Sequence, residues 1–244
     1  MTHLPKLLSA VAMVSSLIAC GVATEETSTT KIVGGRLVEN GDLEVLSTVA
    51  LTSRGRAFCS GTLIRENVVV TAGHCLGGRT PDITFGLSDR TGTTVRASRA
   101  IRNPEGFDVG LVILAEAPPS WARPVTILED DFVLEAGDPL ILAGFGQTSG
   151  SGGSSGRLKT VTTIFDQISV EAKEVWFGPT PGLSACRGDS GGPMYVKKSN
   201  EIGEDSLFLL GSTIGGFRPP ACSGSGRYAD SRAHRDWILS VIGE

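Results

Sequence analysis

Three residues with the side chains needed for acyl transfer lie far apart along this chain: His74, Asp108 and Ser190. A serine hydroxyl is a weak nucleophile until a neighbouring base removes its proton, and a histidine held by a carboxylate can act as that base. Ser190 lies in the glycine-rich segment 188–193, where glycines let the backbone approach a substrate closely. The residue types and their order along the chain predict nucleophilic catalysis by Ser190.

Short β-strands are predicted to position these side chains. His74 follows the apolar segment 67–71, and Asp108 opens the apolar segment 108–114. The chain has 32 glycines and only 20% charged residues, which favours many short strands joined by tight turns. The segments predicted as strands are 45–52, 58–64, 67–71, 108–114, 139–143, 158–164 and 207–214.

Helical periodicity is scarce, so the composition predicts an all-β barrel or sandwich. The exception is segment 232–242, whose apolar residues are spaced as in an amphipathic helix. Asp230 or Ser231 could cap that helix. A chain of 244 residues can form one large all-β domain or two small lobes. The net charge is −4, and the Lys and Arg residues form no basic stripe along the sequence, which argues against a nucleic acid partner.

The N-terminus is typical of an export signal. Lys6 precedes an apolar run, 7–18, that is too short for a permanent membrane helix. The run ends in Leu-Ile-Ala-Cys, which resembles the lipobox of bacterial lipoproteins and predicts a signal peptide over 1–19 and a lipid on Cys20. Ordinary signal cleavage after Gly-Val-Ala, 21–23, is the alternative. The polar segment that follows predicts a propeptide or linker over 20–31.

Five cysteines also indicate export, because export permits disulfides. An odd count leaves one thiol over, and Cys20 is the natural candidate. The other four cysteines allow three pairings. A zinc site is the rival interpretation, but no Cys-x-x-Cys spacing supports it.

From residue 32 to its end the chain resembles the trypsin/chymotrypsin-like serine proteases. The resemblance rests on four ordered motifs, at 32–35, 71–75, 108–114 and 188–193, with further similarity at 58–64 and 144–146. It implies a domain over 32–244 made of two six-stranded antiparallel β-barrels with a short C-terminal α-helix. The lobes would cover roughly 32–120 and 121–244, with the active site between them.

The resemblance also implies roles for single residues in a serine endopeptidase. Ser190 would attack the scissile carbonyl, His74 would act as base and then acid, and Asp108 would hold the histidine tautomer. The backbone N–H groups of Gly188 and Ser190 would form the oxyanion hole.

The same resemblance implies the disulfide pairing. Cys59 would pair with Cys75 and brace the His74 loop. Cys186 would pair with Cys222 and tie the Ser190 loop to the pocket wall. We expect each bridge to contribute about 3 kcal/mol in the chain-entropy model.

Activation by cleavage is a further implication of the resemblance. Cleavage between Lys31 and Ile32 would free an ammonium that pairs with Asp189 and orders the loop before Ser190. A buried carboxylate without a partner is costly, so the pairing would act as a switch. If Cys20 carries a lipid, the same cleavage would release the enzyme from the membrane.

Substrate preference is predicted from the pocket residues that the resemblance assigns. Ser184 and Ala185 would form the pocket floor, and Gly216 and Gly226 would leave the pocket open. A floor without an acid has nothing to pair with a substrate Lys or Arg, so we expect cleavage after large apolar or aromatic residues. The enzyme would then depend on another protease to cut after Lys31.

The substrate strand departs from the family pattern. Residues 214–216 are Ile-Gly-Gly, where the family usually has Ser-Trp-Gly. The loss of an apolar wall at Gly215 should weaken extended peptide binding. If the register slips by two residues, Ile214 would instead narrow the pocket and favour small side chains.

Two other functions are alternatives to proteolysis. A catalytically silent, protease-like binding module would usually lack a member of the triad, and this chain has all three. An esterase on an α/β-hydrolase fold would place its serine before the acid and histidine. We therefore expect a monomeric endopeptidase acting on protein or peptide substrates, with no metal or organic cofactor. It would be lipid-anchored in a bacterial cell envelope or secreted.

Overall fold

The computed structural model describes residues 1, 33–78, 80–149, 153, 155–216, 222 and 224–243. The predicted propeptide, Cys20 and Ile32 lie outside these residues, as does the predicted signal peptide beyond Met1. Among the helices of the described part, none combines the length and apolarity that crossing a membrane requires.

The described residues form fourteen strands, two α-helices and one 3-10 turn, Gly73–Leu76. In chain order the α-helices are α1 (Glu44–Ser47) and α2 (Arg235–Ile242). The strands are β1 (Arg36–Leu37), β2 (Thr48–Ser53), β3 (Arg56–Arg65), β4 (Val68–Thr71), β5 (Asp82–Phe85), β6 (Thr93–Arg102), β7 (Gly110–Leu114), β8 (Thr126–Ile127), β9 (Pro139–Gly144), β10 (Lys159–Ser169), β11 (Glu174–Phe177), β12 (Pro193–Ser199), β13 (Asp205–Gly216) and β14 (Gly226–Asp230).

The first barrel is a closed ring of six strands in the order β2-β3-β4-β7-β6-β5. Alternation along the strands decides which side chains fill it. In β2, Val49 and Leu51 lie in the barrel interior, whereas Ala50 between them packs in a core shared with the second barrel. In β4, Val69 is interior and Val70 belongs to the shared core.

The second barrel is formed by β9, β10, β11, β14, β13 and β12, each antiparallel to the next, and β12 closes the ring on β9. Its interior is filled by buried apolar residues such as Leu140, Leu142 and Leu210. The prediction of two six-stranded antiparallel barrels with a short C-terminal helix is therefore confirmed.

A third core joins the two barrels. Val70 and Leu111 of the first barrel pack there with Tyr195 and Leu209 of the second, and Ile238 of α2 belongs to the same cluster. These side chains are almost fully removed from solvent. Burial of this apolar area is the main force that holds the two barrels together.

The segment before the first barrel is bound to the second. Arg36 of β1 lies opposite Thr160 of β10. Closer to the N-terminus, the Ser184 N–H donates to the Val33 carbonyl at 3.1 Å. The first described residues after Ile32 therefore lie beside the loop that leads to Ser190.

Two local predictions were wrong. Residues 45–47 were expected in a strand, but they belong to α1, and β2 begins at Thr48. The C-terminal helix starts at Arg235 with His234 at its N-cap, not at Asp230 or Ser231. The Asp230 carboxylate is instead occupied by Arg232, which donates from its backbone N–H and its guanidinium.

Candidate active site

His74 lies in the 3-10 turn that follows β4, and Asp108 lies just before β7, which pairs with β4. This pairing brings the two residues together. The His74 backbone N–H donates to Asp108 Oδ1 at 2.7 Å, and Nδ1 of the ring lies 2.8 Å from Asp108 Oδ2. Gly73 makes the approach possible, since a Cβ there would lie 3.2 Å from Asp108 Oδ1.

The two side chains shift each other's protonation. The hydrogen bond to Asp108 raises the pKa of His74 above 6.5, against burial and the charge of Arg102, which lower it. Burial by itself raises the pKa of Asp108, but the ring and backbone hydrogen bonds from His74 keep it below 3.8. At neutral pH the carboxylate is ionised and accepts the proton of Nδ1, which leaves Nε2 as the basic nitrogen.

Ser190 is fixed from both sides by β3 and β13. The Ser60 N–H donates to the Ser190 carbonyl at 2.8 Å, and the N–H of Gly191 donates to the Thr213 carbonyl at 2.7 Å. Gly191 has a φ of +78°, and a Cβ there would lie 2.7 Å from the Ala72 nitrogen. The backbone beside Ser190 therefore lies against the residues that lead into the His74 turn.

The predicted disulfides are both present, Cys59–Cys75 and Cys186–Cys222. The first bridge ties the His74 turn to β3, and the Cys75 sulfur lies 3.6 Å from the Ser190 carbonyl oxygen. His74 and Ser190 thus share a neighbour. No hydrogen bond joins their two side chains, although both residues are described. Such catalytic bonds are often long before a substrate is bound.

The backbone N–H groups beside Ser190 differ in whether they have an acceptor among the described residues. Asp189 donates its N–H to the Cys186 carbonyl at 3.0 Å, and Gly192 donates to the Asp189 carbonyl at 2.7 Å. By contrast, the N–H groups of Gly188 and Ser190 donate to no residue within the described ranges. Gly188 has a φ of +92°, a conformation that suits glycine. Two unused donors on alternate residues could stabilise an oxyanion.

The Asp189 side chain is buried, and both of its carboxylate oxygens accept backbone N–H groups. Oδ1 accepts the Gly146 N–H at 2.8 Å, and Oδ2 accepts the Cys186 N–H at 2.8 Å. Burial raises the pKa of Asp189 to about 6, although these two donors and the nearby charge of Lys159 lower it. The predicted ion pair with Ile32 lies outside the described residues.

Lys159 was not among the predicted site residues. It is fully buried, and its ammonium donates to the Gly146 carbonyl at 2.7 Å. The sequence offered one signal for this residue: Lys159 is a charged residue within segment 158–164, which was predicted as a strand. Alternation alone does not tell on which side of the barrel wall such a side chain lies.

A pocket of about 170 Å³ opens beside Ser190. It is lined by the four residues that the resemblance assigns to the substrate pocket, Ser184, Ala185, Gly216 and Gly226. Its other lining residues are Phe177, Cys186, Arg187, Thr213, Gly215, Cys222 and Ser225, so no carboxylate lines it among the described residues.

Gly216 and Gly226 of the pocket lining differ in what a side chain would meet there. A Cβ on Gly216 would have no neighbour within 4 Å, so this glycine leaves space open. A Cβ on Gly226 would lie 2.6 Å from the Phe177 ring, so packing requires the second one. Ile214 does not line the pocket and packs against the barrel cores instead. This arrangement favours the unslipped register.

Sequence comparisons find related proteins over most of the chain. A family model described as Trypsin matches residues 32–238. The chain is 32% identical over 218 residues to a trypsin of Saccharopolyspora erythraea, covering 80% of this chain and 92% of that protein. It is 28% identical over 253 residues to glucanase inhibitor protein 1 of Phytophthora sojae, covering 95% and 97%.

A solved structure agrees with the fold. Neuropsin, a serine protease expressed in the limbic system of mouse brain, superposes with a TM-score of 0.72 at 20% identity, covering 86% of this chain and 100% of that one. The family model and the relative at 32% identity identify the protein family, and the two barrels agree with it. The chain belongs to the trypsin-like family of serine endopeptidases, which hydrolyse peptide bonds.

Proposed function

We propose that Ser190, His74 and Asp108 are the catalytic residues of this endopeptidase. The observation that carries the proposal is the pair of hydrogen bonds that fixes His74 on Asp108. Ser190 Oγ attacks the scissile carbonyl while His74 Nε2 takes its proton. The same proton then goes to the leaving amine, and the acyl-enzyme is hydrolysed by water with His74 again as the base. Asp108 stabilises the imidazolium throughout.

The tetrahedral intermediate carries a negative oxygen, and we propose that the N–H groups of Gly188 and Ser190 bind it. Support comes from their lack of acceptors among the described residues. Donors already held in place need no reorganisation when the charge develops. Loss of one such donor typically slows turnover on the order of 10²–10³-fold.

The pocket supports a preference for large apolar or aromatic residues before the scissile bond. Its described lining has no carboxylate, and Arg187 at its edge carries a positive charge. A substrate Lys or Arg would find no partner there. Gly216 leaves room for a ring, because no atom lies within 4 Å of a Cβ at that position.

Activation at Lys31–Ile32 by a second protease remains our proposal for the maturation of the enzyme. Val33, the next residue, accepts a hydrogen bond from Ser184 on the second barrel, so the new N-terminus would form near Asp189. The disulfides are consistent with export. We further propose a lipid on Cys20, which would leave with the propeptide, and a monomeric mature enzyme.

The test is covalent labelling of Ser190 by a fluorophosphonate after cleavage at Lys31 by trypsin. We expect stoichiometric labelling of the wild type and none of Ser190→Ala. Cleavage of a peptide library should then show large apolar or aromatic residues before the cut bond. Absence of labelling in the folded, cleaved wild type would overturn the proposal. For Cys20, activity should leave the membrane fraction on cleavage, and activity that stays with the membrane contradicts the tether.

A catalytically silent binding module is the second candidate, because two relatives are named glucanase inhibitor protein 1. The same labelling experiment separates the two functions. A binding module would keep its fold and both disulfides but would not react at Ser190.

A further inference from the structure

Glu44 is a buried carboxylate that forms no ion pair with any described residue. It is the first residue of α1, and only 7% of its surface is exposed. Its Oε1 accepts a hydrogen bond from the Thr160 hydroxyl at 3.0 Å, whereas nothing in the described part of the chain donates to Oε2. Glutamate is almost never fully buried unless it is paired. The position of Glu44 therefore calls for a cation.

Glu44 lines a groove of about 570 Å³, which lies between segment 34–44 and strands β9, β10, β12 and β13 of the second barrel. Two further acids and two bases line this groove, and each base already has an acid as its partner. Arg36 pairs with Asp42, and Lys197 Nζ lies 2.9 Å from Asp205 Oδ2. Among the described lining residues, Glu44 is therefore the one acid without a cation.

Arg36 does not supply the missing cation. Its guanidinium donates to the Asp42 carboxylate and to the Leu37 carbonyl. The hydrogen bond to Asp42 raises the pKa of Arg36, and the charge of Glu44 contributes less. The arginine thus lessens the cost of the buried charge from a distance, but it leaves Oε2 able to bind another donor.

The rest of the lining favours an organic cation over a metal ion. A divalent metal ion needs several oxygen ligands. Within the described residues, the one set of three metal-ligating side chains contains no carboxylate, so Glu44 is not part of a metal-binding cluster. Instead, the groove is lined by four partly buried apolar side chains, Leu43, Ile141, Leu183 and Leu207. An ammonium on an aliphatic stem fits this lining, because its charge can pair with a carboxylate while its methylenes cover apolar surface.

We infer that the groove is a binding site for a primary alkylammonium group, which pairs with Glu44 Oε2 and lies along the apolar lining. A free alkylamine or the lysine side chain of another protein supplies this chemistry. The groove and the pocket beside Ser190 share no lining residue, so the two sites are distinct. Ligand binding in the groove does not depend on the catalytic role proposed for Ser190.

The charge of Glu44 is the physical basis of this site. Glu44→Gln removes the charge but keeps an amide oxygen for the Thr160 hydroxyl. Because a buried charge without a partner is costly, the unliganded variant should be at least as stable as the parent chain. Loss of one partner of a structural ion pair would instead destabilise the protein strongly. A bound ligand should raise the thermal unfolding midpoint of the parent chain more than that of Glu44→Gln.

The probe is pentylammonium, which combines the charge with an aliphatic stem. Pentanol keeps the stem without the charge, and ammonium chloride keeps the charge without the stem. An NMR titration of the full chain follows the methyl resonances of Leu183 and Leu207 in the groove. The methyl resonance of Ala185 reports binding in the pocket beside Ser190.

The parent chain carries Ser190→Ala so that it cannot digest itself. Glu44→Gln is the test variant. Glu116→Gln is the matched control, because it removes an exposed acid that pairs with Arg96 and does not line the groove. Thermal unfolding of the same proteins is measured with and without pentylammonium.

We expect pentylammonium to shift both groove methyl resonances to saturation in the parent chain and in Glu116→Gln. In Glu44→Gln its affinity should fall about tenfold or more, because a hydrogen bond to a charged group is lost. Pentanol and ammonium chloride should bind the parent chain about tenfold or more weakly than pentylammonium. Binding of Nα-acetyllysine methylamide would indicate a lysine side chain as the natural ligand, and its exclusion would indicate a free amine.

Three titration results would overturn the inference: no saturable shift with pentylammonium, equal affinity in the parent chain and Glu44→Gln, or shifts confined to Ala185. A marked loss of stability in unliganded Glu44→Gln would also overturn it, because Glu44 would then already have a charged partner. The first result needs no Glu44 variant and is independent of whether that variant folds. Failure of the cleaved wild type to label at Ser190 would reject the proposed function and leave this site unaffected.

Discussion

Asp108 holds His74 at two points, with one oxygen on the backbone N–H at 2.7 Å and the other on ring Nδ1 at 2.8 Å. The first contact fixes the position of the His74 backbone, and the second fixes the orientation of its ring. Together they leave only Nε2 free to take a proton. The carboxylate therefore controls both the orientation and the tautomer of the His74 ring.

Asp108→Asn should keep the geometry and reverse the tautomer. The amide oxygen can still accept the backbone N–H of His74, while the amide NH₂ then faces Nδ1 and moves the ring proton to Nε2. We expect kcat to fall about 10⁴-fold, as in the Ser-His-Asp template, with little change in KM. Steady-state kinetics measure this. An unchanged thermal unfolding midpoint is the control, and a fall of less than tenfold would contradict the assigned role.

The acid limb of the pH profile of kcat/KM should report the pKa of His74. Its pKa is raised above 6.5, mainly by the hydrogen bond to Asp108, and the base must be neutral to act. Activity should therefore fall as the pH drops through a value above 6.5. In Asp108→Asn the limb should move to lower pH. The imidazole resonances in an NMR titration provide an independent value, and a limb that stays in place in the variant would be contrary evidence.

His234 should make folding stability sensitive to acid. It is buried, its Nε2 has no partner among the described residues, and its ring packs on Phe107, next to Asp108. Burial, aided by the charge of Lys173, lowers its pKa from 6.5 to about 4. The unfolded chain then binds the proton first, so stability is lost as the pH falls from about 6.5 to about 4.

The shift of His234 corresponds to about 3 kcal/mol. In a Ser190→Ala background, which prevents self-digestion, His234→Phe should remove this part of the acid destabilisation. Urea unfolding at pH 7.5 and at pH 4 measures it. His74→Gln is the control, because the pKa of His74 is raised and its removal should not reduce the acid sensitivity. Equal acid sensitivity of wild type and His234→Phe would show that His234 is not its source.

Gly216→Val should narrow the specificity pocket. The position lies in β13, a Cβ there would meet no atom within 4 Å, and valine suits a strand. We expect kcat/KM for a peptide with Phe before the scissile bond to fall on the order of 10²-fold, and that for the Ala analogue to change little. Peptide cleavage assays on the pair provide the measurement. An equal fall for both peptides would contradict the proposal that this pocket binds the side chain before the scissile bond.

Sequence patterns predicted the strands that carry strong apolar runs. Segment 108–114 became β7, and segment 139–143 became β9. The exposed strand β6 was missed because only Val95 of its ten residues is buried, so it lacks an apolar pattern. The buried strand β14 was missed because Gly226, Arg227 and Asp230 are poor strand formers that tertiary packing overrides.

For the site, motifs were more informative than periodicity. The ordered motifs located His74, Asp108 and the pocket, because these residues lie at fixed positions relative to glycines and cysteines. Lys159 belongs to no motif, so its contact with the Gly146 carbonyl could be found only from the structure. The reason for Gly226 was also hidden, since it depends on the Phe177 ring from another strand.

The pairing of β1 with β10 has a consequence for synthesis of the protein. Translation proceeds from the N-terminus, so the first barrel is complete on the ribosome while the partner strand of β1 has not yet been made. Residues 33–37 can dock only after most of the chain has emerged. Docking of this segment is therefore a late step in folding, which follows synthesis of the whole first barrel.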